Sequence, residues 1–228
     1  MAIQPLDLSG GKDSRVFALI AGESGVGKTT QATTFPKDET LFVSVEDGHL
    51  SIQGSGIPAV KVDTYKDLDS VLDSMIQWPQ RYIFIDSLSE IYDMIKREAK
   101  DKFTTSQNFQ KFDYIELMFL GLIKKARNIE SKDIYFTCHV KEEKNGVILE
   151  KELAFQGKAP VEVKKQFDLI IHMDKIEDDD GNVKRTFITD PTISKIAKAR
   201  VSPFMGVTVE QYEEPNLYEL TRKLKGEK

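Results

Sequence analysis

Gly22-Glu23-Ser24-Gly25-Val26-Gly27-Lys28-Thr29 places two glycines around a four-residue spacer and follows them with a lysine and a hydroxyl. This is the pattern G-x-x-x-x-G-K-[ST], and each residue type in it answers a need of polyphosphate chemistry. Glycines let backbone N–H groups curl around phosphate oxygens, and the start of a following helix adds positive potential. Lys28 is expected to reach the β- and γ-phosphates and the Thr29 hydroxyl to ligate Mg²⁺, with Gly22 through Thr30 forming the cradle of a nucleoside triphosphate. The apolar run Val16–Ala21 reads as a buried strand leading into this loop, and Thr29–Thr33 opens a helix after it. Strand, glycine loop and helix are the context in which the pattern becomes a mechanism.

Two carboxylates stand at the ends of other apolar runs. Asp86 closes Arg81-Tyr82-Ile83-Phe84-Ile85 and is followed by Ser87. A carboxylate there orders the water shell of Mg²⁺ opposite Thr29; capping the next helix is the competing role. Glu46 follows Phe42-Val43-Ser44-Val45, the strand directly after the phosphate loop and its helix. A carboxylate at that tip can face the γ-phosphate and accept a proton from an attacking water. Asp47 beside it is a rival, whereas Ser87, beside Asp86, cannot act as a base.

These residues need a scaffold, and the chain is long enough to supply one. At 228 residues and 40% apolar content it can bury one substantial α/β core. The single cysteine, Cys138, excludes an internal disulfide framework and fits a reducing cytosol, so a cytoplasmic location is expected. His49, His139 and His172 lack metal-ligand spacing. A net charge of −5 excludes a generally basic nucleic-acid coat. No apolar run approaches a membrane span or a signal peptide, so no membrane role is expected.

Strands are expected at Leu41–Val45, Ala59–Val62, Arg81–Asp86 and Asp133–Cys138. Helical spacing places one helix over Leu68, Val71, Leu72, Met75 and Ile76, ended by Trp78-Pro79. A second covers Leu88 to Ile95 and a third Phe112 to Ile129. The polar stretch Lys100–Gln110 is expected to be mobile or surface-bound. Strands alternating with helices imply a parallel sheet covered on both faces. The last third differs: Asn145-Gly146 marks a hairpin, and Phe167–Met173 and Val183–Thr189 flank the acidic turn Asp178–Asn182. The fold class is therefore α/β, a P-loop core with a mainly parallel sheet flanked by helices and antiparallel strands toward the C-terminus. Residues 1–14 read as a flexible lead-in, 15–210 as the core and 211–228 as a tail.

In this order of motifs the chain resembles the RecA superfamily, whose catalytic glutamate lies at the end of the strand after the P-loop helix, where Glu46 stands. The resemblance covers roughly residues 15–210 and implies a Mg²⁺-dependent ATPase. It gives His139, after the strand Ile134–Cys138, the place of a γ-phosphate sensor that is often glutamine. Lys198-Ala199-Arg200-Val201-Ser202-Pro203-Phe204 is similar to the RecA stretch in which two basic residues reach a neighbouring subunit's γ-phosphate. The small phage-encoded RecA-like proteins of single-strand annealing and recombination share this profile. The resemblance thus implies a homo-oligomer, filament or ring, on single-stranded DNA, with a single-strand-binding or replication protein as a further partner. DNA would meet Lys100–Lys111 and Val140–Lys165, where lysines accompany Phe103 and Phe155. A motor or loader ATPase acting on a replication protein, a small nucleotide kinase and a non-hydrolysing switch are the alternatives.

Overall fold

Alternate residues of the strand before the phosphate loop face two different interiors. Phe17, Leu19 and Ala21 enter one apolar core, and Val16, Ala18 and Ile20 enter another. That is the pattern of a strand buried on both faces. The computed structural model describes residues 15–177, 180–201 and 206–227. Its strands are β1 (Phe17–Gly22), β2 (Thr40–Ser44), β3 (Ala59–Lys61), β4 (Tyr82–Asp86), β5 (Asp133–Asn145), β6 (Ile148–Leu153), β7 (Leu169–Glu177), β8 (Val183–Ile188), β9 (Lys198–Ala199) and β10 (Tyr212–Glu213). They are ordered β10-β8-β7-β1-β5-β4-β2-β3, with β6 on β5 and β9 on β7. The strands from β7 through β1 to β3 are parallel, and β6, β8, β9 and β10 pair antiparallel. The expected α/β architecture is the observed one.

The helices are α1 (Tyr65–Ser74), α2 (Leu88–Lys102), α3 (Asn108–Arg127), α4 (Ala159–Gln166) and α5 (Leu217–Leu224). Four of them, α1 to α4, bury Leu68, Ile91, Phe119 and Val163 with Phe17, Leu19 and Ala21. The opposite face is covered by α5 and by the 3-10 turns Thr29–Thr34 and Asp47–Ile52, through Leu217, Leu220, Ala32 and Ile52.

Several expectations change. The helix opening at Thr29 is a six-residue 3-10 turn. Three of its threonines bond back to carbonyls three residues earlier, Thr30 to Gly27, Thr33 to Thr30 and Thr34 to Gln31, competing with the helical ladder, and Pro36 stops it. The stretch Lys100–Gln110 lies at the surface as expected, but it is structured. The second helix runs to Lys102, Thr104 and Gln107 form a reciprocal capping box, and α3 starts at Asn108. The hairpin turn falls on Gly146-Val147, since Asn145 pairs with Ile148. Residues 211–227, expected as part of a tail, are docked on the core. Their strand β10 extends the sheet edge, Leu217 N–H donates to Gln31 Oε1 at 3.1 Å, and the buried Tyr135 and Thr221 hydroxyls meet at 2.8 Å. The lead-in 1–14, Asp178-Asp179 of the acidic turn, and Ser202-Pro203-Phe204 lie outside the described residues.

Candidate active site

Parallel register brings the tips of four strands to one level, with Gly22 beside His139 and Ser44 beside Asp86. The chain turns away from the sheet at each tip, and the departing segments enclose a cleft of about 590 Å³. Its walls include Ser24, Gly25, Gly27 to Thr30, Glu46, Asp86 and His139, so the P-loop residues and the carboxylates expected to work together share one cavity. Gly27 holds φ at 110°, a backbone conformation that side chains disfavour, as the loop bends around the cleft.

Asp86 is 1% exposed. Its Oδ2 accepts from Thr29 Oγ1 at 2.9 Å and its Oδ1 accepts from the Thr137 hydroxyl. Burial raises its pKa, and the two hydroxyl donors oppose that only in part. Among the described residues no cationic side chain lies within 4.0 Å of it. A Cβ on Gly48 would stand 2.1 Å from Asp86 Oδ2, so only glycine lets that segment pass over the carboxylate. The competing capping role falls instead to Ser87, whose Oγ accepts from Glu90 N–H at 3.2 Å. Among the described residues no three His, Cys, Asp or Glu side chains form a metal cage. A hydroxyl beside a buried, cation-poor carboxylate is the donor set of a Mg²⁺ ion completed by phosphate and water, and Thr29 and Asp86 fit it.

Lys28 is 5% exposed and donates to Gly22 O at 3.0 Å and Glu23 O at 2.8 Å. Burial lowers its pKa, with Asp86 chief among the charges that raise it again. His139 stands between Lys28, 3.5 Å from its Nδ1, and Glu46, 3.8 Å from its Nε2. It is not at a strand end: β5 continues to Asn145 but changes partner there, from β1 to β6. The His139 contact, ahead of opposing burial, holds the Glu46 carboxyl below its ordinary range. Asp47 also borders the cleft, but its side chain is exposed and lies 3.6 Å from Lys61. Cys138 is fully buried and its thiol is pushed up to about 12, so it is a core residue.

Lys198 and Arg200 are not in this cleft. Arg200 N–H bonds Asp168 O beside the start of β1, five strand residues and about 17 Å from Gly22. Lys198 Nζ donates to Lys164 O and Phe167 O, and Arg200 pairs with Asp168 at 3.1 Å. In the two expected DNA segments, Phe155 is 1% exposed and packs on Tyr92 and Phe119, so it cannot stack on a base. Lys141, Lys151, Lys164 and Lys165 each pair with a glutamate at 2.5–2.6 Å. Sequence reasoning missed Thr137, Gly48 and Arg185. Only Thr137 left a signal, as a polar residue two positions before His139 in an apolar strand.

Strand, phosphate loop and carboxylate tips define a P-loop nucleotide-binding protein. Residues 14–201 match the AAA domain family, and the chain belongs to that family. No curated protein matches the sequence. Among solved structures, a KaiC-like protein from the hyperthermophilic archaeon Pyrococcus horikoshii is similar at 16% identity and a TM-score of 0.48, covering 75% of this chain and 76% of that one. No helix among the described residues is long and apolar enough to cross a membrane.

Proposed function

We propose that this protein is a Mg²⁺-dependent, RecA-like ATPase that assembles on single-stranded DNA in phage-type recombination, annealing or replication. The observation that carries the ATPase reading is the Thr29–Asp86 pair inside the P-loop cleft, with Glu46 and His139 lining the same cleft. When bound, Mg²⁺ neutralises charge on the β- and γ-phosphates. Lys28 exchanges the carbonyls of Gly22 and Glu23 for phosphate oxygens. Glu46, held ionised, takes the proton of the attacking water. His139, between Lys28 and Glu46, is the side chain through which occupancy of the γ-site reaches the β5–β6 hairpin.

Assembly and DNA binding rest on the resemblance and on the exposed lysines Lys100 and Lys158. Lys198 and Arg200, on the rim away from their own P-loop, would act on a neighbour's nucleotide after exchanging their internal bonds. Mixing the Lys198→Ala/Arg200→Ala protein with Lys28→Ala tests this: mixed interfaces should regain part of the activity, and a confirmed mixed assembly as inactive as its components contradicts it. The loader reading draws support from exposed Val147, Leu149, Phe109 and Phe112, which suit a protein partner. ATP turnover with and without single-stranded DNA, with nucleosides offered as phosphoryl acceptors, separates the readings. DNA-stimulated phosphate release is expected; phosphoryl transfer to a nucleoside contradicts it.

A further inference from the structure

Arg185 belongs to none of the roles above, yet it lines the nucleotide cleft. It comes from β8, which lies on the opposite side of β1 from β5, β4 and β2. Asp86, Glu46 and His139 therefore approach the P-loop from one flank and Arg185 from the other. Its Nε donates to Val26 O at 2.9 Å. In a trans peptide, the Val26 carbonyl held toward Arg185 aims the Gly27 N–H the opposite way. Arg185 Nε and Thr30 Oγ1 lie 3.4 and 3.3 Å from where a Gly27 Cβ would be, so the guanidinium stands at the Gly27–Thr30 side of the loop.

A guanidinium carries five N–H donors in a rigid fork. One is spent on Val26, and Nη1 and Nη2 have no acceptor among the described residues. Their charge is permanent and their direction is set by the Nε bond, so little entropy is lost when they meet an anion. Lys28, by contrast, is committed to the hydrolysing end of the cleft, beside His139.

We propose that Arg185 is a nucleotide-binding cation supplied in cis, which latches the P-loop through Val26 and contacts the α,β-diphosphate common to ADP and ATP. The proposal rests on the ATP-binding reading of the cleft and adds a residue and a phosphate position to it. Charge-assisted hydrogen bonds of this kind contribute enough to change affinity about tenfold or more.

The test is calorimetric titration of ADP and of ATP, with Mg²⁺, into the wild-type protein and the Arg185→Ala, Arg185→Gln and Arg185→Lys variants. Circular dichroism confirms that each is folded. Glutamine can still bond the Val26 carbonyl but has no charge, so it separates latch from cation. Expected are about tenfold weaker binding of both nucleotides in the alanine and glutamine variants, by the same factor for each, and a smaller loss with lysine. Unchanged ADP affinity, or wild-type affinity in the glutamine variant, overturns the proposal. A loss for ATP that exceeds the loss for ADP tenfold also overturns it, placing Arg185 at the γ-phosphate. Failure of the wild-type protein to bind either nucleotide is a separate result and removes the ATP-binding reading itself.

Discussion

Asp86 and Asp133 are both buried aspartates at ends of the same sheet, and they are treated in opposite ways. Asp133, at the rim where β1 begins, is 2% exposed. It accepts from Val16 N–H at 2.7 Å, pairs with Arg81 at 3.5 Å, and meets the ammonium of Lys225. Its neighbours follow suit: Asp168 pairs with Arg127 and Arg200, and Lys132 donates to Trp78 and Gln80 carbonyls. Asp86, at the cleft rim, has two hydroxyls and, among the described residues, no cationic side chain within 4.0 Å, although Lys28 acts on it at longer range. The far rim is an ion-pair network that ties α5 to the sheet, although the buried Nη1 of Arg15 beside it has no hydrogen-bond partner among the described residues. The cleft rim keeps a carboxylate unneutralised, a cost in stability that a bound cation relieves.

If that division is right, substitutions at the two rims should fall in different assays. The largest effect is expected at the cleft: Glu46→Gln keeps the side chain's shape but cannot take a proton, so ATP turnover should fall roughly 10²–10⁴-fold while nucleotide binding survives. Asp47→Asn showing that pattern instead would move the base by one residue. At the other rim, Asp133→Ala strands a buried ammonium and the Val16 N–H, and should cost about 3–5 kcal/mol in denaturant unfolding. Its folded fraction should still turn over ATP. A third group sharpens the boundary between the regions. His172, beside Ala21 on β7, is buried with an unpartnered Nδ1, and burial lowers its pKa to about 4. The unfolded chain binds the proton more readily, so stability should be full above pH ~6.5 and fall by about 3 kcal/mol as pH drops toward 4. His172→Leu should flatten that part of the pH–stability curve; an unchanged slope would assign it to other groups.

The cleft was largely legible in the sequence because its residues sit at the ends of apolar runs. Gly22–Thr29, Glu46, Asp86 and His139 each follow such a run, and parallel strands put those ends on one rim. Arg185 was not legible: it lies 158 positions after Gly27 in the exposed first half of a strand whose place beside β7 no local pattern records. Phe155 misled because an aromatic among lysines reads as a stacking platform, whereas the tight turn after β6, with Phe155 N–H on Leu153 O, packs it against Tyr92 and Phe119. The segment 211–228 looked like a tail because an eight-residue amphipathic helix is marginal alone. Docking on the turn Thr29–Thr34 through Gln31 and Thr34, together with the Tyr135–Thr221 and Asp133–Lys225 contacts, makes it part of the core.

Asp86→Asn tests the central claim most directly, with two readouts from one variant. Because burial raises its pKa, folding favours the protonated carboxyl, and ionised Asp86 opposes folding as pH rises. Removing the charge while keeping the shape should leave the Tm of the nucleotide-free protein at pH 7 equal to or above that of the wild type. Mg²⁺-dependent ATP turnover should fall by about 10²-fold or more. A variant that melts several degrees lower yet hydrolyses ATP normally would contradict the account and make Asp86, like Asp133, a structural charge.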